Sequence, residues 1–150
     1  ALSYTTLFRS ERTPAGWSSA LRFDVRLRDG GDPNRLRVNW TNQWDLGDGW
    51  RVRGLALVAR EVGERADDGF GLGTRASLTR GFDNGVRTGV ELFNSYGNTD
   101  DFPDLEDQNH RLGPVVSGTL GGWGLQAGVL FGLTDGASDQ DFRFWVGRQF

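Results

Sequence analysis

From residue 17 onward, apolar and polar side chains alternate along the chain with a period of two. The clearest example lies between residues 21 and 28, where every second residue is apolar and the others are charged. The apolar positions are Leu21, Phe23, Val25 and Leu27. Side chains of a β-strand point alternately to its two faces, so this pattern predicts a strand with one apolar and one charged face. No segment keeps a helical period over ten residues, and the sequence therefore predicts an all-β fold.

The alternation recurs in eight segments after residue 16, separated by clusters of Gly, Asp, Asn and Pro. Tight turns are predicted at 45–49, 83–85 and 121–122. Longer connections are predicted at 62–69, 97–110 and 134–140, with one of intermediate length at 29–34. Short turns that alternate with longer loops are typical of an antiparallel up-and-down barrel.

Two features disturb the alternation. Leu55 and Leu57 fall on the face of the arginines in the third segment, which predicts a bulge there. Pro114 has no N–H to donate to a neighbouring strand, so it predicts either a strand start or a local bulge in the sixth segment.

The composition narrows the class of protein. No run of 18 apolar residues occurs, which excludes a membrane-spanning helix, and the mean hydropathy is −0.49. A tilted strand of about 9–11 residues nevertheless crosses a bilayer with only every second residue apolar. The chain has no Cys, which excludes disulfides and thiolate metal sites. The net charge of −3 gives no electrostatic support for nucleic-acid binding.

An arginine-rich face lies outside in a water-soluble barrel and inside in a membrane barrel, and alternation alone does not separate the two. Aromatic residues at strand ends favour the membrane, where such residues form girdles at the interfaces. They are Trp17, Trp50, Phe70 and Trp123. We therefore predict an antiparallel up-and-down transmembrane β-barrel of about eight strands, either complete or part of a larger barrel. The alternative is a soluble lipocalin-like barrel that binds an apolar ligand.

Residues 142–150 alternate in the same way and end on an aromatic residue. This segment resembles the C-terminal signal of Gram-negative outer-membrane barrels, and the matching residues are Phe142, Phe144, Val146 and Phe150. Arg148 departs from the pattern, because an aromatic or aliphatic residue is usual there. The resemblance implies a location in the bacterial outer membrane, with the lipid bilayer and the barrel-insertion machinery as partners.

Segments 89–92, 110–115 and 130–135 resemble uncharacterised Gram-negative barrels that are grouped with the meta-pathway phenol-degradation family. That resemblance implies passive passage of small solutes, including aromatic ones. Residues 4–10, by contrast, resemble the translation of a common sequencing-library adapter. The adapter resemblance implies that residues 1–10 are not native, that the native start of a metagenomic sequence is lost, and that the barrel occupies residues 11–150. The alternative is that residues 1–10 form a genuine strand.

Ten arginines alternate with apolar positions inside the predicted strands and share the charged face. They are Arg22, Arg26, Arg35, Arg37, Arg51, Arg53, Arg75, Arg87, Arg111 and Arg143. Glu91 lies among them in mid-strand, and we expect it to pair with Arg75 or Arg111 on a neighbouring strand. Such a face lines either an aqueous lumen that favours anions or a packed interior in which arginines bond to carboxylates and carbonyls.

The remaining candidate chemistry is sparse. His110 is the only histidine, and an outer-membrane lipid hydrolase would need it as the base, but no Ser lies in a nucleophile motif. The acids of the longest loop offer hard oxygen ligands for Ca²⁺, although their spacing matches no EF-hand. They are Asp100, Asp101, Asp104, Glu106 and Asp107.

We therefore predict no enzymatic activity, no catalytic residue, no metal and no cofactor. The predicted function is passive passage of small solutes, anionic or aromatic, or else a structural or surface-binding role. The lipid hydrolase and the soluble ligand-binding barrel stay as alternatives.

Overall fold

The computed structural model describes residues 2–148 and folds them into nine β-strands. The strands are β1 (Leu2–Arg9), β2 (Trp17–Leu27), β3 (Asn34–Gly47), β4 (Trp50–Val62), β5 (Gly71–Gly81), β6 (Arg87–Asn98), β7 (Asn109–Leu120), β8 (Trp123–Gly132) and β9 (Gln140–Arg148). Over that range, no helix has the length and apolar character needed to span a membrane. The predicted all-β class is confirmed.

The strands form one sheet in chain order, and each pairs antiparallel with the next. Between residues 2 and 148 no pairing joins β1 to β9, so the sheet has two open edges. The eight predicted strands correspond to β2–β9. The ninth strand, β1, pairs with β2 along its whole length, from Leu2 opposite Leu27 to Arg9 opposite Ala20. The adapter-like residues 4–9 therefore take part in the sheet, whatever their origin.

The connections differ between the two ends of the sheet. At the short-turn end lie residues 48–49, 82–86 and 121–122, together with the β1–β2 link at 10–16. At the long-loop end lie residues 28–33, 63–70, 99–108 and 133–139. Gly121 and Gly122 have φ of 57° and 81°, as a two-residue hairpin turn of type I′ requires. The predicted alternation of tight turns and longer loops is confirmed.

The predicted bulge at Leu55 and Leu57 is wrong. Both residues pair in regular register, Leu55 with Thr41 and Leu57 with Asn39. The register shifts lie elsewhere, in β3 between Asp45 and Gly47, and between β5 and β6 at Leu72/Gly73. The two leucines keep their place because the arginine face also has room for apolar side chains.

Pro114 lies inside β7, at neither a strand start nor a register shift. It pairs with Val90 of β6, whereas the ladder from β7 to β8 passes from Leu112 to Val115 without a pair for the two residues between them. The missing N–H of proline is therefore accommodated by an interruption of one ladder, with the register on both sides unchanged.

Cross-strand pairing sorts the side chains into two faces. One apolar row runs Phe23, Val38, Val58 and Leu72 across β2–β5. A polar row on the opposite face runs Gln43, Arg53, Ser77 and Glu91 across β3–β6. We call these the apolar face and the arginine face.

The sheet curls toward the arginine face. Side chains on that face touch across strands that are not neighbours, such as Arg143 of β9 over the ring of Phe93 of β6, 4.2 Å from its centroid. Most glycines within strands also lie on the arginine face, where an added Cβ at several of them would meet neighbouring backbone closely. They include Gly71, Gly73, Gly89, Gly113, Gly124, Gly128 and Gly132. The arginine face is thus concave, and the apolar face is convex.

Candidate functional site

The structure places all ten predicted arginines and Glu91 on the concave face. Five carboxylates share this face, and they are Asp24, Asp45, Glu61, Glu91 and Asp141. Ten arginines against five acids leave a clear excess of positive charge. Arg9 of β1 adds to that excess, because it pairs with Ala20 on the same face.

Three of the arginines have carboxylate partners. Arg22 Nε lies 3.1 Å from Asp24 Oδ2, and Arg51 Nε lies 2.7 Å from Asp45 Oδ1. Arg111 Nη1 of β7 lies 2.9 Å from Asp141 Oδ2 of β9. That pair reaches past β8 and therefore helps to hold the curvature of the sheet.

Two other arginines bond to neutral oxygens. Arg87 donates to the carbonyl oxygen of Gly49 at 3.0 Å and to Thr79 Oγ1 at 3.2 Å. Arg53 donates to Gln43 Oε1 at 2.8 Å. These bonds orient the guanidinium groups without placing them in a direct ion pair.

The centre of the concave face holds a cluster of Arg75, Phe93 and Arg143. Both guanidinium groups lie over the Phe93 ring, Arg75 at 4.8 Å and Arg143 at 4.2 Å from the centroid. Cation–π contacts of this kind are electrostatically favourable and hold an arginine in one orientation. Sequence reasoning missed Phe93, although its alternation with Glu91 places it on the arginine face.

The expected pairing of Glu91 with Arg75 or Arg111 is wrong. Glu91 instead accepts a hydrogen bond of 3.3 Å from Gln126 Nε2 of β8. The reason is positional, because Arg75 and Arg111 both stand opposite Phe93, one residue row away. Arg75 turns onto that ring, and Arg111 turns to Asp141.

Several cavities open on the concave face, and two of them meet at its centre. The first, of about 460 Å³, is lined by Arg53, Glu91 and Gln126 among others. The second, of about 510 Å³, lies toward the long-loop end and is lined by Arg35, Arg37, Arg111 and Asp141 among others. Arg75, Phe93, Leu130 and Arg143 line both cavities. The cluster at the centre therefore separates one cavity from the other.

The convex face carries an aromatic belt at the short-turn end. Its members are Trp17, Trp44, Trp50 and Trp123, all exposed. Arginines of the same face lie over aromatic rings there, Arg80 at 5.7 Å from Trp50 and Arg148 at 5.4 Å from Trp123. Phe70, at the long-loop end, has Arg60 at 5.0 Å.

The candidate insertion residues of β9 lie on the convex face. Phe142 is 76% and Phe144 is 74% exposed, and Val146 is exposed as well. Phe150 lies outside the described residues. Whether this segment acts as an insertion signal stays a prediction.

His110 belongs to a polar network on the convex face near the long loops. Its Nδ1 lies 2.8 Å from Asn94 Oδ1, and its Nε2 lies 3.1 Å from Gln108 Oε1. Both ring nitrogens therefore contact amides, and no hydrogen bond joins them to a serine within residues 2–148. No three carboxylate or histidine groups of the described chain, including those of the acidic loop, form a possible metal site.

No family model, curated protein or solved structure matches this chain. The fold and the site define it as an antiparallel up-and-down sheet with arginines on its concave face and apolar rows on its convex face. Function is accordingly argued from that geometry.

Proposed function

We propose that this sheet forms part of the wall of a Gram-negative outer-membrane β-barrel whose interior admits small solutes. One observation carries the proposal: the distribution of side chains is the reverse of that in a water-soluble barrel. Large apolar residues stand exposed on the convex face, and the guanidinium groups gather on the concave face. An exposed apolar surface that covers a whole face indicates an apolar environment.

Energetics support this orientation. In a membrane barrel, one Arg or Lys turned to the lipid at mid-depth costs about 2–4 kcal/mol. On this sheet the arginines of the convex face lie near strand ends, where such side chains reach the headgroups, and Arg80 and Arg148 are examples. The soluble lipocalin-like alternative would need an apolar interior, whereas the concave face is rich in arginine.

The open edges of β1 and β9 bear on the size of the barrel. Every backbone N–H and C=O in hydrocarbon needs a partner, so a sheet in a membrane has to close. We infer that further strands pair with β1 and β9 and complete the barrel. The terminal segment with Phe142 and Phe144 then serves as the insertion signal, with the insertion machinery as its partner.

A matched pair of cysteine variants tests the orientation, because the chain has no Cys of its own. Ala76 and Ser77 are neighbours in the middle of β5 and lie on the convex and concave faces. In lipid vesicles that hold the complete barrel, a charged maleimide should label the Ser77→Cys variant and not the Ala76→Cys variant. A lipid-borne quencher should reach only a fluorophore at position 76.

The reverse labelling pattern, or equal labelling at both positions, would refute the proposal. Single-channel conductance in planar bilayers then separates the two forms of the interior. Discrete conductance steps support a passage for solutes, and their absence in a correctly inserted chain supports the packed interior.

A further inference from the structure

The cavity on the long-loop side carries an unbalanced set of cations. Five arginines and a single carboxylate line it, and that carboxylate, Asp141, is bound to Arg111. The other four arginines are Arg35, Arg37, Arg75 and Arg143. Among the described residues none of these four has a carboxylate within 4.0 Å, so four guanidinium groups face one cavity without a direct ion pair.

Arg35 and Arg37 each have a buried side-chain nitrogen without a hydrogen-bond acceptor. The Nε atom of each is buried, and no described residue accepts a hydrogen bond from it. Buried donors without an acceptor are rare in native proteins, and a bound ion is one ordinary reason for them. Both side chains line this cavity, and they also line a smaller one of about 200 Å³ beside β1 and β2. Of the two, the larger cavity also brings Arg75, Arg111 and Arg143 to the same space, so an acceptor there would serve the most guanidinium groups.

The carboxylate nearest to Arg37 in the sheet is already engaged. Asp24 stands directly opposite Arg37, but its oxygens accept hydrogen bonds from Thr5, Arg22 and Asn39. Glu61 stands opposite Arg35 without forming an ion pair among residues 2–148. The protein itself therefore leaves both guanidinium groups to something else.

We propose that this cavity binds a small polyvalent oxyanion of the phosphate or sulfate class. The inference rests on the proposal that the concave face borders water and receives solutes. Guanidinium forks match the oxygens of such anions, and several mutually repelling cations favour one multiply charged ligand over a singly charged one. A cavity of about 510 Å³ has room for it.

The position of the cavity gives the bound anion a defined place in the passage. Arg75 and Arg143 line both cavities and hold their orientation over Phe93. An anion on the long-loop side therefore contacts the same two arginines that border the next cavity. These arginines position the ligand at the boundary between the two compartments.

Calorimetric titration of the full chain in detergent micelles tests the site, with inorganic phosphate and nitrate as probes. Phosphate should bind at least about tenfold more tightly than nitrate. Arg37→Gln and Arg143→Gln should each weaken phosphate binding by about tenfold, which corresponds to the loss of one charged contact. Arg53→Gln is the matched control, since it removes the same charge from the same face at a residue that does not line the long-loop cavity. It should change the affinity less than about threefold.

Equal weakening by all three variants would overturn the site, because it would mean diffuse attraction by the whole face. Absence of phosphate binding to the unaltered chain, or nitrate binding as tight as phosphate, would overturn it too. Because Arg143 packs on Phe93, circular dichroism of each variant checks that the fold is kept. The cysteine labelling is independent: expected labelling without phosphate binding rejects the site alone, and reversed labelling with phosphate binding rejects the membrane proposal alone.

Discussion

Leu130 and Phe131 are neighbours in β8, yet they meet opposite surroundings. Leu130 is 3% exposed on the concave face, whereas Phe131 is 44% exposed on the convex face. The same contrast holds across the sheet, because the other two buried apolar residues, Ala59 and Val115, also lie on the concave face. Close packing and charge thus occupy one side, and exposed apolar surface occupies the other. This difference between the faces supports the proposal that lipid covers the convex side.

The largest expected effect comes from a charge placed on the convex side. Ala76→Arg should lower the free energy of unfolding in lipid vesicles by about 2–4 kcal/mol, because it turns a guanidinium toward hydrocarbon at mid-strand. Ser77→Arg, one residue further, should change it by less than about 1 kcal/mol, because its guanidinium would face water between Arg53 and Glu91, whose opposite charges offset each other. Denaturant titrations followed by tryptophan fluorescence measure both. Equal costs would mean that the two faces meet the same solvent.

A methyl group added on the packed side should have the next largest effect. A Cβ at Gly113 would overlap the carbonyl oxygen of Val129, so Gly113→Ala forces β7 away from β8. We expect a loss of about 1–3 kcal/mol in unfolding free energy, as for other overpacked sites. Gly54→Ala on the convex face is the control, since no heavy atom lies within 4 Å of its Cβ position. A similar loss at both glycines would contradict the assignment of close packing to the concave side.

The smallest expected effect concerns the ion pair of Arg111 with Asp141. A double-mutant cycle with Arg111→Gln and Asp141→Asn should give a coupling of about 0.5–1 kcal/mol, since both side chains are partly exposed to water. The coupling energy should decrease when the salt concentration is raised from about 0.05 to about 0.5 M, because salt screens the attraction between charges that are exposed to water. A coupling that is independent of salt would mean that the concave face is shielded from the aqueous phase.

The alternation of side chains predicted much of the fold, because a period of two is a local property of the backbone. It located β2–β9, and the tight turn at 121–122 agrees with the structure to the residue. Alternation could not predict the register shift between β5 and β6, where Leu72 pairs with Gly97 and Gly73 with Ser95, so that Tyr96 has no partner. Such a shift depends on a contact between strands. The Tyr96 hydroxyl lies 2.8 Å from Thr74 Oγ1 in β5. The bulge predicted at Leu55 and Leu57 was wrong for a similar reason. The concave face accepts apolar side chains where neighbouring strands leave room, and the sequence of one strand does not show this room.

The candidate site was predictable only as a face. Alternation assigns Arg75, Glu91 and Arg143 to one side of the sheet, but it says nothing of curvature. The contact of Arg143 with Phe93 joins β9 to β6 and exists only because the sheet curls. The predicted partner of Glu91 was wrong for the same reason. In a flat sheet the nearest partners of Glu91 lie on the adjacent strands β5 and β7. The curled sheet also brings Gln126 of β8 within hydrogen-bonding distance.

The four indoles at the short-turn end have a consequence for how the molecule sits. Trp17, Trp44, Trp50 and Trp123 share one level, and no tryptophan of the described strands occupies the corresponding level at the opposite end. Under the membrane proposal these indoles anchor the barrel at one membrane–water interface, and the other interface has no such anchor among the described strands. Thickening or thinning the bilayer would then displace the long loops while the short turns keep their depth. Brominated lipids that quench these indoles would report the same depth in every bilayer.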